Sequence, residues 1–199
     1  MTNYTIVGLG NPGEEYIGTR HNVGRMVLDA FVKKNSWLEF KLDKKLKALT
    51  TSGKISKNKA VLLEPETFMN KSGEAVKSII KSKKAAETLV VIHDDLDIPL
   101  GKLKISFNKS SGGHKGVESI MRAIKTESFI RVRIGISGET ASGKIKKPQG
   151  EEKVIDTILG KFKPSEETDV KKIIKKAVLA LGLIIKDGWS IAASQLGNL

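Results

Sequence analysis

The sequence contains no cysteine. This absence excludes a disulfide-stabilised fold, a thiol nucleophile and any metal site built on thiolates. Long hydrophobic runs are missing as well: the longest, 177–185, is far shorter than a membrane span and has a lysine at each end. Residues 1–10 lack the basic start and the apolar stretch of a signal peptide. We therefore expect a soluble, cytoplasmic protein with no membrane partner.

Acidic residues are outnumbered, with 22 Asp and Glu against 35 Lys and Arg, and the formal net charge is +13. Such an excess favours a polyanionic partner, most often nucleic acid, although lysines on solvated helix faces would give the same count. Aromatic residues are scarce, at 5% of the chain, which is too few for a platform that stacks many bases. If nucleic acid binds, we expect contacts to phosphates to dominate.

Hydrophobic spacing divides the chain into alternating strands and helices. Strands are predicted where apolar or β-branched residues run together or alternate, at 4–7, 48–51, 60–64, 89–92, 103–107 and 130–136. Helices are predicted at 22–35, at 117–124, and after two capping serines, Ser72 and Ser165. The aperiodic stretch 138–153 is interpreted as a mobile loop. Pattern and length predict one α/β domain over 1–199, a twisted mixed sheet flanked by helices on both faces.

The first glycine-rich segment, 8–13, spells G-x-G-x-x-G directly after a predicted strand. A dinucleotide-binding fold needs a helix that begins on those glycines, and an acidic residue at the end of a second strand about 20 residues further on. Here Pro12 removes a backbone donor, the helix begins only near Asn22, and Asp29 lies inside that helix. A nucleotide-dependent oxidoreductase is therefore a weak candidate, and we expect no cofactor.

Three histidines are candidates for chemistry, and no pair has the spacing of metal ligands on a helix, so we predict no metal site. His21 lies at a loop-to-helix junction, where by itself it would be interpreted as an exposed residue. His93 precedes a run of three acids, which could bind Mg²⁺, orient a histidine or solvate a turn. His114 belongs to the small-residue loop 110–116, which could hold an anion or simply connect two elements.

Taken together, the motifs resemble those of the bacterial peptidyl-tRNA hydrolase family, in the family's order and over nearly the whole chain. The matching segments are G-L-G-N-P-G-x-x-Y at 8–16, T-R-H-N-x-G at 19–24, T-F-M-N-x-S-G at 67–73, H-D-x-L-D-x-P-x-G at 93–101, G-G-H-x-G at 112–116, R-x-R-x-G at 131–135 and x-L-G-x-F at 158–162. Each motif alone is weak, whereas the set is highly specific. Within these motifs two positions depart from the family pattern, with Asp95 in place of glutamate and Lys115 in place of asparagine.

The resemblance implies hydrolysis of the ester that joins a peptide to the 3′-terminal adenosine of tRNA, which releases tRNA and peptide for recycling. It implies that His21 is the general base that activates water and that Asp94 orients it. Asn11 is implied to bind the substrate beside the scissile ester and to reject aminoacyl-tRNA with a free amine. An ester attacked in this way needs no metal.

Further contacts with the peptide are implied around this centre. Asn70 is implied to hold the peptide main chain, in a pocket shaped by Tyr16 and Phe68. Gly112 and Gly113 leave their loop few side-chain obstacles, so we expect its backbone to approach the substrate closely.

The family grips the 5′ phosphate of tRNA with a lysine and an arginine. The arginine matches Arg133, whereas the lysine position falls on Ser106, with Lys104 and Lys109 close enough to substitute. Lys115 could lie beside the catalytic histidine or bind tRNA phosphate, and its flexible, strongly hydrated ammonium favours phosphate.

Besides the oxidoreductase, one rival function remains open at this point. It is a non-catalytic RNA-binding protein on the same scaffold, with Lys115 as the sign of lost activity. The residues implied in catalysis argue against this rival, because phosphate binding alone requires none of them. We therefore expect a monomeric esterase whose partner is peptidyl-tRNA, contacted at its acceptor stem, its 3′ end and its attached peptide.

Overall fold

One mixed sheet runs through the computed structural model, which describes residues 1–196. Its strands are β1 (Asn3–Gly8), β2 (Lys41–Asp43), β3 (Ala48–Ile55), β4 (Asn58–Pro65), β5 (Leu89–Pro99), β6 (Leu103–Phe107), β7 (Ile130–Glu139) and β8 (Ile145–Lys146). The helices of the described residues are α1 (Val23–Lys34), α2 (Gly73–Lys77), α3 (Lys83–Ala86), α4 (Lys115–Ile124), α5 (Glu151–Leu159), α6 (Glu167–Asp187) and α7 (Trp189–Leu196). The strand order is β2-β3-β4-β1-β5-β7-β6, with β8 paired to β7. Strands β4, β1, β5 and β7 are parallel, and the outer strands run antiparallel to their neighbours.

Helices cover both faces of the sheet, and β5 shows this most clearly. Val90 and Ile92 face a core shared with α1, α6 and α7, whereas Leu89 and Val91 face a second core shared with α2 and α4. All four side chains are fully buried. A continuous apolar strand is what burial on both faces requires. The predicted fold class, an α/β domain with a mixed sheet between helices, is confirmed.

The central strands end together at one edge of the sheet. β1 lies between β4 and β5, and Gly8 at its end is level with Ile92 of β5. The segments that leave these parallel strands therefore start side by side, which is where open α/β sheets bind ligands. Helix α1 packs closely against this edge, because a Cβ atom added to Gly24 would lie only 2.5 Å from the carbonyl oxygen of Ile92. The residues just before α1 are thereby brought to the ends of β1 and β5.

Strand β5 is longer than the sequence predicted. We expected the strand to end at Ile92. A solvated turn was one of the interpretations of the acidic run that follows. The strand instead continues to Pro99, and its pairing with β7 runs on through His93, Asp94 and Asp95. The three acids are therefore strand residues, and Asp94 is buried.

The hairpin of β3 and β4 is also longer than predicted. The pairing extends from Ala48–Pro65 to Ile55–Asn58, so that only residues 56–57 form the turn. We predicted a turn over 53–58, which is wrong. Apart from Ile55, the outer ends of the two strands, 53–55 and 58–59, carry glycine, lysine and asparagine, so they show no apolar alternation that would mark them as strand.

Neither predicted serine cap is present. Ser72 donates its hydroxyl to the carbonyl oxygen of Met69 at 2.9 Å, and its side chain makes no bond to the start of α2. Ser165 lies in a 3-10 turn ahead of α6, where the Glu166 carboxylate accepts from the backbone N–H of Lys163 at 2.7 Å. Residue type suggested both caps, whereas the chain path ahead of each helix decides which group is close enough to bond.

The stretch 138–153 contains more regular structure than the loop we predicted. β7 extends into it, β8 pairs with β7, and α5 begins at Glu151. No residue of α5 is buried, so the core pattern used for the prediction gave no signal there. Across residues 1–196, no helix combines the length and the apolar character needed to cross a bilayer.

Candidate active site

His21 lies in a 3-10 turn, Arg20–Asn22, that directly precedes α1. The turn is held from a distant part of the chain, since the backbone N–H of Arg20 donates to the carbonyl oxygen of Gly160 at 3.0 Å. His21 is only 6% exposed. The interpretation of His21 as an exposed residue at a helix start is therefore wrong.

One oxygen atom of Asp94 serves two histidines. Nδ1 of His21 lies 2.8 Å from Asp94 Oδ1, and Nε2 of His114 lies 2.9 Å from the same atom. Burial alone would raise the pKa of the Asp94 carboxyl, but the two imidazoles outweigh it and hold that pKa well below its usual range. Asp94 is therefore an ionised acceptor at neutral pH.

Hydrogen bonds determine which nitrogen of each imidazole carries the proton. Nδ1 of His114 accepts from the backbone N–H groups of Gly116 and Val117 at 3.2 and 3.3 Å, because those groups can only donate. Nε2 of neutral His114 therefore carries the proton and donates to Asp94. His21 donates from Nδ1 to the same carboxylate, and its Nε2 has no hydrogen-bond partner within residues 1–196. In the neutral imidazole with its proton on Nδ1, Nε2 carries an unshared lone pair, as a general base requires.

The ligand atoms of His21, Asp94 and His114 all lie within 4.8 Å of one another, so distance alone would allow a metal ion. Spacing along the sequence did not reveal this cluster. A metal would need the lone pair of His114 Nε2, but that atom carries the proton while the backbone occupies Nδ1. The hydrogen-bonded arrangement therefore does not suit a metal.

His93 supports the cluster from behind. Its Nδ1 donates to the backbone oxygen of Asp94 at 2.7 Å, and its ring packs edge-on against His114 with centroids 4.8 Å apart. Burial, with His114 nearby, holds the pKa of His93 well below its ordinary value, so this imidazole is neutral. Sequence reasoning weighed His93 and His114 but did not place them in the site. The G-G-H segment ahead of a helix was the available signal for His114.

Hydrogen bonds to both the main chain and the side chain of Asn11 hold this residue just beyond the end of β1. Its N–H donates to Oδ1 of Asn22 at 2.9 Å, and Nδ2 of Asn22 donates to its carbonyl oxygen at 2.9 Å. Its Oδ1 accepts from the backbone N–H of Met69 at 2.8 Å. The Nδ2 group of Asn11 has no partner among residues 1–196, so the side chain offers an unpaired N–H donor while its oxygen already accepts one hydrogen bond.

Two of the peptide-binding residues implied by the resemblance, Phe68 and Asn70, flank Met69, whose N–H bonds to Asn11. Tyr16 and Phe68 meet edge-on with ring centroids 6.4 Å apart, and Phe68 is 57% exposed although it is a large apolar side chain. Phe68 directly precedes Met69, so the bond from Met69 to Asn11 ties this aromatic pair to the site. Asn70 instead lines a shallow cavity of about 320 Å³ between α2 and α4, in company with Ser119.

The loop before α4 is open, as its glycines suggested. Gly112 and Gly113 are exposed and have φ angles of +63° and +83°, which a side chain would strain. Lys115, at the start of α4, has a side chain that is 70% exposed, and its Nζ lies 3.8 Å from Oε2 of Glu118. Within the described residues it makes no contact with His21.

Basic side chains gather on one face of the β6 edge. Nε of Arg133 donates to Oδ2 of Asp95 at 2.7 Å, and β-pairing places Lys104 directly opposite Arg133. Directly opposite residues in an antiparallel pair share a face of the sheet. Lys109 follows β6 and is exposed.

A second arginine, missed by the sequence analysis, shares this face. Arg131 lies two residues before Arg133 on β7 and is paired with Ser106. It is 3% exposed, and burial beside Arg133 lowers its pKa. The hydroxyl of Ser106 is buried without a hydrogen-bond partner among residues 1–196. The motif R-x-R marked both arginines, but only the outer one was assigned a role.

Comparison with known proteins identifies the family. The family model described as peptidyl-tRNA hydrolase matches residues 5–198. The chain belongs to the peptidyl-tRNA hydrolase family. The resemblance inferred from the motifs is thereby confirmed, and family membership supports a peptidyl-tRNA hydrolase function.

Relatives and solved structures agree with this family over almost the full chain. The peptidyl-tRNA hydrolase of Thermoanaerobacter sp. (strain X514) is 44% identical over 196 residues, which cover 98% of this chain and 100% of the relative. That of Aquifex aeolicus (strain VF5) is 42% identical over 180 residues, with 88% and 86% covered. The crystal structure of peptidyl-tRNA hydrolase from Acinetobacter baumannii matches with a TM-score of 0.85 at 32% identity, covering 97% of this chain and 93% of that chain.

The peptidyl-tRNA hydrolase match includes the segment 8–13, which had suggested a dinucleotide fold. No α-helix begins on its glycines, and the segment continues instead into a 3-10 turn at Glu14–Tyr16. The oxidoreductase alternative therefore has no support from either the family or the fold.

Proposed function

We propose that the chain hydrolyses the ester between the peptide and the 3′-terminal adenosine of peptidyl-tRNA, with His21 as the general base. The observation that carries this proposal is the buried bond of His21 Nδ1 to Asp94 Oδ1 at 2.8 Å, which leaves Nε2 as a free lone pair. An imidazole can both take and return a proton near neutral pH, as ester hydrolysis requires.

In the proposed reaction, Nε2 of His21 takes a proton from water as the water oxygen bonds to the ester carbonyl carbon. The negative charge of Asp94 stabilises the imidazolium that forms. The tetrahedral intermediate then breaks its bond to the 3′ oxygen of the adenosine, and His21 returns the proton to that oxygen. The products are a peptide with a free carboxyl group and a tRNA with a free 3′ hydroxyl, so neither metal nor cofactor is needed.

His114 is a positioning residue in this scheme. Its Nε2 donates to the same Asp94 oxygen that orients His21, and its Nδ1 is fixed by backbone N–H groups at the start of α4. A second fixed donor keeps the carboxylate in one orientation while His21 gains and loses its proton.

Asn11 is proposed to contact the substrate through Nδ2 and to exclude aminoacyl-tRNA. Because Oδ1 already accepts from the backbone N–H of Met69, the unpaired Nδ2 donor is the group proposed to face the substrate. A peptide carbonyl next to the scissile ester is an acceptor and suits that donor. A free aminoacyl ammonium is itself a donor and a cation, so it finds no partner at Asn11.

The peptide is proposed to extend from the ester over Tyr16 and Phe68, whose exposed rings offer apolar contact next to Asn11. Asn70, in the cavity beside α2, would bind main-chain groups of the peptide further along. Gly112 and Gly113, in the exposed loop before α4, are proposed to come close to the substrate, because the absence of side chains allows close approach.

The acceptor stem is proposed to lie along the basic face of the β6 edge. Arg133 uses Nε on Asp95, and its remaining guanidinium nitrogens have no partner within the described residues, so they are free to bind phosphate. Lys104 lies opposite Arg133 and Lys109 follows on the same edge, so the two supply the charge that Ser106 does not. Lys115 adds a further exposed cation. We propose a monomer that acts in the cytoplasm, where translation produces the substrate.

The decisive experiment is single-turnover hydrolysis of an N-acetylated aminoacyl-tRNA beside the same tRNA with a free amine. We expect rapid release of tRNA from the blocked substrate and slow release from the unblocked one. The non-catalytic RNA-binding alternative predicts tight binding of both tRNAs with no acceleration of ester hydrolysis. That result would overturn the proposal.

A further inference from the structure

Arg25, on the first turn of α1, links this helix to Asn11 and to the end of β4, beside the active site. Its Nη1 donates to the backbone oxygen of Asn11 at 3.2 Å, and its Nε donates to Oε2 of Glu64 at 3.2 Å. Its Nη2 donates to Oε1 of Glu66. The three bonds leave from three different nitrogens, so the guanidinium has one orientation.

Arg25 and Glu64 are mostly buried, and Glu66 is partly buried. The Arg25 side chain is 13% exposed, and those of Glu64 and Glu66 are 5% and 30% exposed. A buried guanidinium needs partners for its charge and its hydrogen bonds, and the two carboxylates supply both. Gly10 makes room for the group, since a Cβ atom there would lie 2.6 Å from Cδ of Arg25.

The bond to Asn11 is the part that reaches the chemistry. Residues 9–13 have no helical or strand structure, so their shape depends on side-chain bonds. The Asn11 oxygen accepts from both Arg25 and Asn22. An error of about 1 Å in a substrate-contacting group is enough to cost a large part of the rate.

We propose that Arg25 is a positioning residue that fixes Asn11 at the scissile ester and thereby sets the discrimination between blocked and free aminoacyl-tRNA. This inference rests on the proposed role of Asn11. Arg25 itself touches no substrate in this scheme. Arg25 holds the main chain of Asn11 in place, and Glu64 and Glu66 hold the guanidinium of Arg25.

The test is the Arg25→Lys variant, which keeps the positive charge but cannot donate in three directions from a planar group. Hydrolysis of N-acetylated and free aminoacyl-tRNA is measured for the parent, Arg25→Lys, Asn11→Ala and the double variant. Lys33→Ala, which removes an exposed cation from the same helix, is the matched control. Loss of one hydrogen bond from a charged group corresponds to about a tenfold effect.

We expect Arg25→Lys to lower the ratio of the two rates about tenfold, with unchanged tRNA affinity and an unchanged pH profile. In the Asn11→Ala background, Arg25→Lys should have no further effect on the ratio, because it acts through Asn11. Lys33→Ala should leave the ratio as in the parent. If Arg25→Lys does not fold, Glu66→Ala removes the outermost partner of Arg25 and should shift the ratio in the same direction.

Two other outcomes would overturn different proposals. If Asn11→Ala lowers the ratio but Arg25→Lys and Glu66→Ala do not, or if both rates fall equally in the Arg25 variant, the positioning role of Arg25 is overturned. If Asn11→Ala itself leaves the ratio unchanged, it is the proposed role of Asn11 that fails.

Discussion

At the scale of single residues, the site depends on one oxygen atom of Asp94 that accepts from two imidazoles. His21 and His114 approach it from opposite parts of the chain, one before α1 and one before α4. Substitutions at these positions therefore differ in what they remove. In the proposed mechanism, loss of His21 removes the base, whereas a neutral residue at Asp94 keeps the shape of the site and removes its charge.

Replacing His21 with alanine should abolish hydrolysis while leaving tRNA affinity nearly unchanged, because the base acts in the transition state rather than in binding. We expect a loss of about 10²–10⁴-fold in single-turnover rate. Parallel measurement of tRNA binding is the control. Activity within a few-fold of the parent would mean that the base is another residue.

Asp94→Asn should reduce turnover by a similar factor, about 10²–10⁴-fold, without unfolding the protein. The amide oxygen can still accept from both histidines, but it cannot offset the charge of the imidazolium. Circular dichroism checks the fold, and the pH profile of the rate checks the mechanism. An active variant with the parent's pH profile would remove Asp94 from the reaction.

Lys115→Asn should keep single-turnover chemistry within several-fold and weaken tRNA binding modestly. The Lys115 ammonium is exposed and lies near Glu118, on the outer side of α4. A surface pair of this kind contributes little to stability, so the fold should not change. The contrary result is a shifted kinetic pH profile with unchanged salt dependence, which would place the ammonium beside His21.

At the scale of elements, hydrophobic periodicity predicted the helices and strands whose side chains fill the core. It missed those elements, or parts of elements, that are held by other interactions. The helix over 22–35 and the strand at 89–92 were found because their apolar residues are buried at regular spacing. The continuation of β5 through Asp94 was missed because its stability comes from pairing with β7, which is distant in sequence. Helix α5 was missed because none of its residues is fully buried and only Ile158 packs partly against the core.

The same limit applies to the site. His21 and Asp94 were assigned by resemblance, and spacing alone could not have joined residues 73 positions apart. The role of His114 depends on the tautomer that the first turn of α4 imposes, which no local pattern contains. The Arg25 contacts also depend on the fold, which brings Arg25 next to Glu64 of β4, 39 positions away in sequence.

The contact between α1 and β4 should make stability depend on pH. Burial, followed by the negative charges of Asp29 and Glu66, raises the pKa of Glu64 from 4.5 to about 7, although Arg25 lowers it in part. An acid with a raised folded-state pKa stabilises the fold at low pH and loses that contribution as pH rises towards 7. The free energy of unfolding of the parent should therefore fall as pH rises from about 5 to about 8, whereas Glu64→Gln has no acid to titrate. The difference in favour of the variant should grow over this range by up to about 3 kcal/mol.

Urea denaturation at several pH values measures this difference. Glu39→Gln, at an exposed position, is the control. A difference that stays constant with pH would show that Glu64 does not titrate in this range.

At the scale of the whole molecule, the net charge of +13 should make tRNA affinity fall steeply with salt. Arg133→Ala should make the log–log salt slope shallower by about one ion, because one phosphate contact is lost. Filter binding or fluorescence anisotropy over a salt series measures the slope. A flat response in the parent would contradict a role of the charge in binding tRNA.

The bonds that hold the His21 turn have a consequence for the order in which the chain is made. Arg20 donates to Gly160 through its backbone and bonds Glu166 through its side chain at 2.7 Å, across 146 positions of sequence. Closing so long a loop is among the slower events of folding. During synthesis, the turn that carries His21 lacks both of these bonds until the late segment has left the ribosome. Each new copy is itself a peptidyl-tRNA throughout its synthesis, and for most of that time its His21 turn is without the two bonds that hold it in the finished fold.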